Sequence, residues 1–99
     1  MARFSVYRTD SPQGLLLDVQ ADALSHLNVR VVVPLLPLAE APKAASRLNP
    51  VFTIDGEMYV MVTQYMLSVP AKVLKQTVCT LAGRYDEIVA ALDVLFQGI

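Results

Sequence analysis

The stretch VFTIDGEMYVMVT, Val51–Thr63, places Asp55-Gly56 between two runs rich in β-branched and aromatic residues. Asp-Gly tolerates the positive φ angles that a two-residue type I′ turn needs, and that turn matches the twist of the strands it joins. The stretch therefore predicts an antiparallel hairpin, and its neighbours extend the pattern. Upstream, Val29–Leu36 (VRVVVPLL) carries four valines in five positions and then Pro34. A proline there, lacking an N–H, points to an edge, a bulge or the strand's end. Leu15–Val19 reads as a strand. Arg3–Arg8 alternates, with Phe4 and Val6 on one side and Ser5 and Tyr7 on the other, as in a half-buried strand. The turn cluster Thr9–Gly14 makes these two a hairpin with a longer loop. Gln20–Asn28 is ambiguous and leaves room for a helical turn, while Pro37–Arg47 reads as an exposed, irregular connection.

Downstream, Met66–Val69 is a short strand stopped by Pro70, and Ala71–Leu81 is mixed. The last element is helical. In Arg84–Ile99, Ile88, Leu92, Leu95 and Ile99 recur at spacings of four and three, with Phe96 beside them. Asp86, Ala90, Asp93 and Gln97 follow a more polar line. Gly83 suits the N-cap, Asp86 and Glu87 suit the positive end of the helix dipole, and Gly98 suits a left-handed C-terminal cap. Many short strands followed by one helix exclude alternating β-α units and a parallel sheet. The fold class read from this order is mainly β (α+β): a small antiparallel, barrel-like sheet covered by one C-terminal α-helix.

The 99 residues suffice for one domain, taken as 1–99. Hydrophobic residues make up 55% and charged residues 17%, which is apolar for so small a chain. A homodimer is the simplest cover for the surplus apolar surface. A formal net charge of −1 gives no electrostatic case for direct nucleic-acid binding. No apolar run reaches the ~20 residues of a membrane span, and MARFSVYRTD lacks the apolar core of a signal peptide. The expected location is cytoplasmic, and a lone Cys79, which permits no internal disulfide, agrees with a reducing compartment.

The sequence holds no obvious catalytic constellation. One histidine, His26, and one cysteine, Cys79, build no common Cys/His metal site, and no phosphate loop or nucleophile elbow is present. No metal or cofactor is expected. Cys79, between Val78 and Thr80, reads as a small buried hydrophobe. Asp18 and Asp22 lie four apart, a spacing common by chance. An acid–base ribonuclease would need Arg30, Asp18 and hydroxyls such as Thr63 or Ser68, a set that does not stand above background. The final residues invite two readings. Leu95, Phe96 and Ile99 close the core or a dimer interface; or Ile99 is an apolar plug for a partner, worth roughly 1.5–3 kcal/mol when fully buried, with Gln97 hydrogen-bonding at its rim.

The chain resembles the CcdB family of toxins of toxin–antitoxin systems. The resemblance is carried by F-x-V-Y at Phe4–Tyr7, D-V-Q-x-D at Asp18–Asp22, R-x-V-x-P-L at Arg30–Leu35, R-L-x-P at Arg47–Pro50, S-V-P at Ser68–Pro70 and F-x-G-I at Phe96–Ile99. The order and spacing of these segments make the match specific. It implies an SH3-like barrel shared with the MazF and Kid toxins, assembled as a homodimer whose terminal helices meet near the dimer axis. It also implies a topoisomerase poison that does no chemistry: the dimer binds the A subunit of DNA gyrase and traps the enzyme on cleaved DNA. A CcdA-like antitoxin removes it, and the toxin–antitoxin complex represses its own operon, touching operator DNA only through the antitoxin. The implied gyrase-binding residues are Ala23, Leu24, Asp93, Gln97, Gly98 and Ile99, and the implied dimer contacts are Leu95, Phe96 and Ile99. Gln97 stands where the family has a tryptophan, Asp93 where it has an asparagine, and Ala23 and Leu24 where it has two isoleucines. The alternative functions are a MazF/Kid-like messenger RNA endoribonuclease and a non-toxic homologue that only binds antitoxin.

Overall fold

Among the residues described by the structure, a computed structural model covering 2–10 and 14–98, seven strands and one α-helix form. They are β1 (Ser5–Arg8), β2 (Leu15–Asp18), β3 (Val29–Pro37), β4 (Val51–Ile54), β5 (Glu57–Met61), β6 (Leu67–Pro70), β7 (Thr77–Thr80) and α1 (Tyr85–Gln97). All pairings are antiparallel, in the order β4-β5-β3-β2-β1-β7, with β6 also beside β3. The result is a curled half-barrel capped by one helix, the architecture that the strand-then-helix order implied.

The hairpin that decides the fold forms as expected. Ile54 lies opposite Glu57, and Asp55 and Gly56 both have positive φ, 52° and 81°, as a type I′ turn requires. Its second strand stops at Met61, two residues short of the predicted end. There Val62 N–H turns to the Pro34 carbonyl and Thr63–Tyr65 coils into a 3₁₀ turn.

β3 is the central strand. One edge pairs with β2. The other is shared, by β6 over Val29–Val32 and by β5 over Leu35–Pro37. Pro34 falls in the gap between β6 and β5. In a strand, a residue's N–H and C=O point to the same edge. Since the Pro34 carbonyl accepts from Val62 N–H, its missing N–H faces that gap. The proline marks an internal change of partner, not the edge or end that its position suggested.

β1 differs from the half-buried strand expected of it: Ser5, Val6 and Tyr7 are all buried. The curl explains this. Val6, Leu17, Val33 and Leu35 face a main core closed by Ile88 and Ala91 of α1. Tyr7 and Val32 face the opposite way and meet Leu74 in a second, smaller core. Successive side chains alternate between faces, and here both faces are covered. Leu74 and β7 come from Ala71–Leu81, the segment whose pattern was mixed; a four-residue strand between 3₁₀ turns has too little periodicity to be read.

α1 begins one residue later than its pattern predicted. Ala82–Arg84 form a 3₁₀ turn, and Arg84 occupies the N-cap position with no side-chain cap bond, so Gly83 is not the cap. The C-terminal cap is as expected: Gly98 has φ 75°, and its N–H reaches Val94 O. The deeply buried positions are Ile88 and Ala91, while Leu92 and Leu95 are only half-buried.

Candidate target-binding site

The expected contact residues lie on two elements, and a buried polar network supports the first. Asp18 ends β2 and Arg30 is the second residue of β3. Both are fully buried, with Arg30 Nη2 2.7 Å and Nε 2.9 Å from Asp18 Oδ2. Asp18 Oδ1 accepts from the backbone N–H of Gln20 (3.0 Å), and Arg30 Nη2 reaches Gln20 O (3.5 Å). The Gln20 carboxamide then spans the mouth of the β2–β3 connection. Its Nε2 donates to Leu24 O and Val29 O (3.1 and 3.2 Å), and its Oε1 accepts from Val31 N–H (3.0 Å).

The connection held this way is the ambiguous segment of the sequence. It contains a single 3₁₀ turn, Asp22–Leu24, and residues 21–29 are all exposed. Ala23 and Leu24 sit in that turn, with Leu24 44% exposed. A second tether comes from the turn just before β1. Arg3 N–H donates to Asp22 Oδ1 (2.7 Å), and Arg3 Nε donates to Val19 O (3.1 Å). Phe4 adopts φ 71°, a left-handed conformation costing a non-glycine residue roughly 1–2 kcal/mol. It is held there by Phe4 N–H to Asp18 O, by Leu81 N–H to Phe4 O and by an edge contact with Tyr85 at 5.6 Å. The Arg3 guanidinium lies 4.6 Å from the Phe4 ring centre.

The second element is the end of α1. Gln97 and Gly98 are exposed, Asp93 is half-buried, Leu95 is half-buried and Phe96 is 69% exposed. Ile99 lies outside the described residues. The side-chain contacts leading from the Asp22–Leu24 turn, through Arg3 and Phe4, reach Tyr85 at the other end of the helix. Tyr85 is some 18 Å from Gln97 along the axis, at 1.5 Å per residue. The candidate residues thus form two groups: Ala23 and Leu24 on the connection, and Asp93, Gln97 and Gly98 on the helix. Beside the connection, a hollow of about 460 Å³ is lined by Leu27, Asn28, Pro70, Ala71 and Lys72.

The residues weighed for a ribonuclease do not assemble. Arg30 is sealed in its pair with Asp18. The Thr63 hydroxyl is buried and bonds to Leu48 O; of the four, only Ser68 is exposed. Asp22 is exposed and bonded to Arg3, so it shares no site with Asp18. Cys79 is half-buried, and burial pushes its thiol pKa up, away from the reactive thiolate. Among the described residues, no cluster of three His, Cys, Asp or Glu side chains is placed to hold a metal, and no helix is long and apolar enough to cross a membrane.

Sequence reasoning missed Gln20. The D-V-Q-x-D run marked the segment, but a glutamine between two aspartates reads as solvated loop. Its role appears only when Val31, eleven residues on, lies opposite it. A family model described as CcdB protein matches residues 3–98 of the chain.

Proposed function

The chain belongs to the CcdB family, whose members are toxins of toxin–antitoxin systems, and on that premise we propose that it poisons DNA gyrase by binding. In this reading a homodimer of the one-domain chain docks on the gyrase A subunit and traps the enzyme on cleaved DNA. A CcdA-like antitoxin releases it in the cytoplasm, and the joint complex represses the operon.

The family match over residues 3–98 is the observation that carries this reading. The geometry supports it: an exposed turn with Ala23 and Leu24, and an exposed helix end with Gln97 and Gly98, are surfaces for docking. Asp93 and Ile99 belong to the same proposed contact. Leu95, Phe96 and Ile99 supply apolar area for the dimer, where the bare Phe96 ring would be covered.

The test mixes the purified protein with gyrase, supercoiled plasmid and ATP, then denatures the enzyme. Linear plasmid that appears only with both proteins supports the proposal. Absence of linear plasmid, with a known poison active in parallel, overturns it. Binding of antitoxin without DNA breakage then identifies a non-toxic homologue, and RNA cut without gyrase identifies a ribonuclease.

A further inference from the structure

We propose that Gln20 is a positioning residue for target binding: its buried carboxamide fixes the shape of the turn that presents Ala23 and Leu24. The inference rests on the gyrase-binding reading above.

Nine consecutive exposed residues, 21–29, have no core of their own to order them. Their internal bonds are local turn bonds: Leu24 N–H to Ala21 O, Ser25 N–H to Asp22 O and Leu27 N–H to Leu24 O. Such turns open readily unless something longer-ranged holds them. The β2–β3 ladder ends where Val19 N–H bonds to Val31 O. At the next step the Gln20 side chain replaces the backbone. It takes the Val31 N–H, which faces the same edge, and returns two N–H groups to Leu24 O and Val29 O. One carboxamide therefore links the end of the 3₁₀ turn to Val29 and Val31 at the start of β3.

Its own placement is fixed. Gln20 is 7% exposed, and its backbone is gripped by Asp18 and Arg30. Both donors and the acceptor are used, so no other residue type reproduces the pattern. A glutamate there keeps the bond from Val31 but turns a carboxylate toward two carbonyls. An alanine leaves all three backbone groups without a side-chain partner. Removing the strut lowers the fraction of molecules with a binding-competent turn, and apparent affinity falls by that same fraction.

The experiment compares the full chain with Gln20→Ala and Gln20→Glu, using Gln76→Ala, an exposed position elsewhere, as control. Hydrogen exchange is read at the Ser25 and Leu27 amides and at core amides such as Leu17 and Leu35, alongside binding to gyrase A subunit. The expected result is exchange at Ser25 and Leu27 faster by about tenfold or more, with core amides near wild type. Apparent affinity for gyrase A falls in proportion to the closed fraction of the turn that the exchange data give, and Gln76→Ala behaves as wild type. Unchanged exchange at Ser25 and Leu27, or a rise that only tracks the core amides, overturns the positioning role. So does gyrase binding that fails to follow the closed fraction of the turn. If the wild-type chain does not bind gyrase, the functional reading fails while the exchange data still decide whether Gln20 holds the turn. A variant that does not fold at 25 °C overturns the claim of a local strut.

Discussion

At position 97 the chain carries glutamine on an exposed helix end, directly before a left-handed glycine. Glutamine offers two donors and an acceptor but no flat apolar face, so an arginine of the target gains hydrogen bonds and no stacking. Gln97→Trp is expected to lower the concentration giving half-maximal plasmid linearisation by about 3- to 30-fold, the equivalent of one stacked guanidinium. An equal or higher concentration would show that this end works through its amide. The buried pair makes a second prediction at the same scale. Arg30→Met leaves the Asp18 carboxylate uncompensated in the core and is expected to cost about 3–5 kcal/mol in urea unfolding. Adding Asp18→Leu is expected to restore much of that loss, because the pair then goes as a unit. No recovery in the double variant would mean that the bonds to Gln20 dominate.

The helix shows how far an element can be read before its surroundings are known. Its length, Ile88 on the buried side and the Gly98 cap were legible, since each depends on local spacing or local φ preference. Its N-terminus was not, because the competing 3₁₀ turn at Ala82–Arg84 leaves no side-chain cap to recognise. Gly98→Ala is expected to destabilise by about 1 kcal/mol. A Cβ there meets nothing within 4 Å, so the cost is the left-handed backbone alone; a loss several times larger would reveal a contact made only in an assembly. In the first turn, Arg84 donates to Glu87 (Nη2 to Oε2, 2.9 Å) and holds its carboxyl below the usual carboxylate range. The sign follows: stabilisation is present above the unfolded pKa and disappears as pH falls through the lowered folded one. Both side chains are nearly half exposed, so the contribution is only about 0.3–0.5 kcal/mol. Glu87→Gln is expected to shift the urea midpoint slightly at pH 7 and not at all at pH 2.

Across the whole molecule, the antiparallel sheet with one helix followed from patterning, since short strands and an Asp-Gly turn leave few other solutions. The covered second face did not, because it depends on Leu74, which the local sequence does not announce. The same limit applies to the candidate site. Residues could be assigned to it by resemblance, but its support, the Asp18–Arg30–Gln20 network, joins positions whose proximity only the β2–β3 register creates. Several large apolar side chains remain bare, among them Leu24, Leu67 and Phe96. The chain is expected to sediment as a dimer at micromolar concentration, and Phe96→Ser is expected to shift it toward monomer. A wild-type monomer at that concentration would remove the proposed use of Leu95 and Phe96.

The strand order β4-β5-β3-β2-β1-β7 puts the first strand made beside the last, with Ser5 opposite Thr80. On a ribosome adding roughly 5–20 residues per second, β1 waits several seconds with one edge open before β7 is synthesised. Closure then still requires α1, which supplies Ile88 and Ala91 to the main core. A half-made chain therefore has neither the completed sheet nor the helix end, and the poison proposed here comes into being only after β7 and α1 have been made.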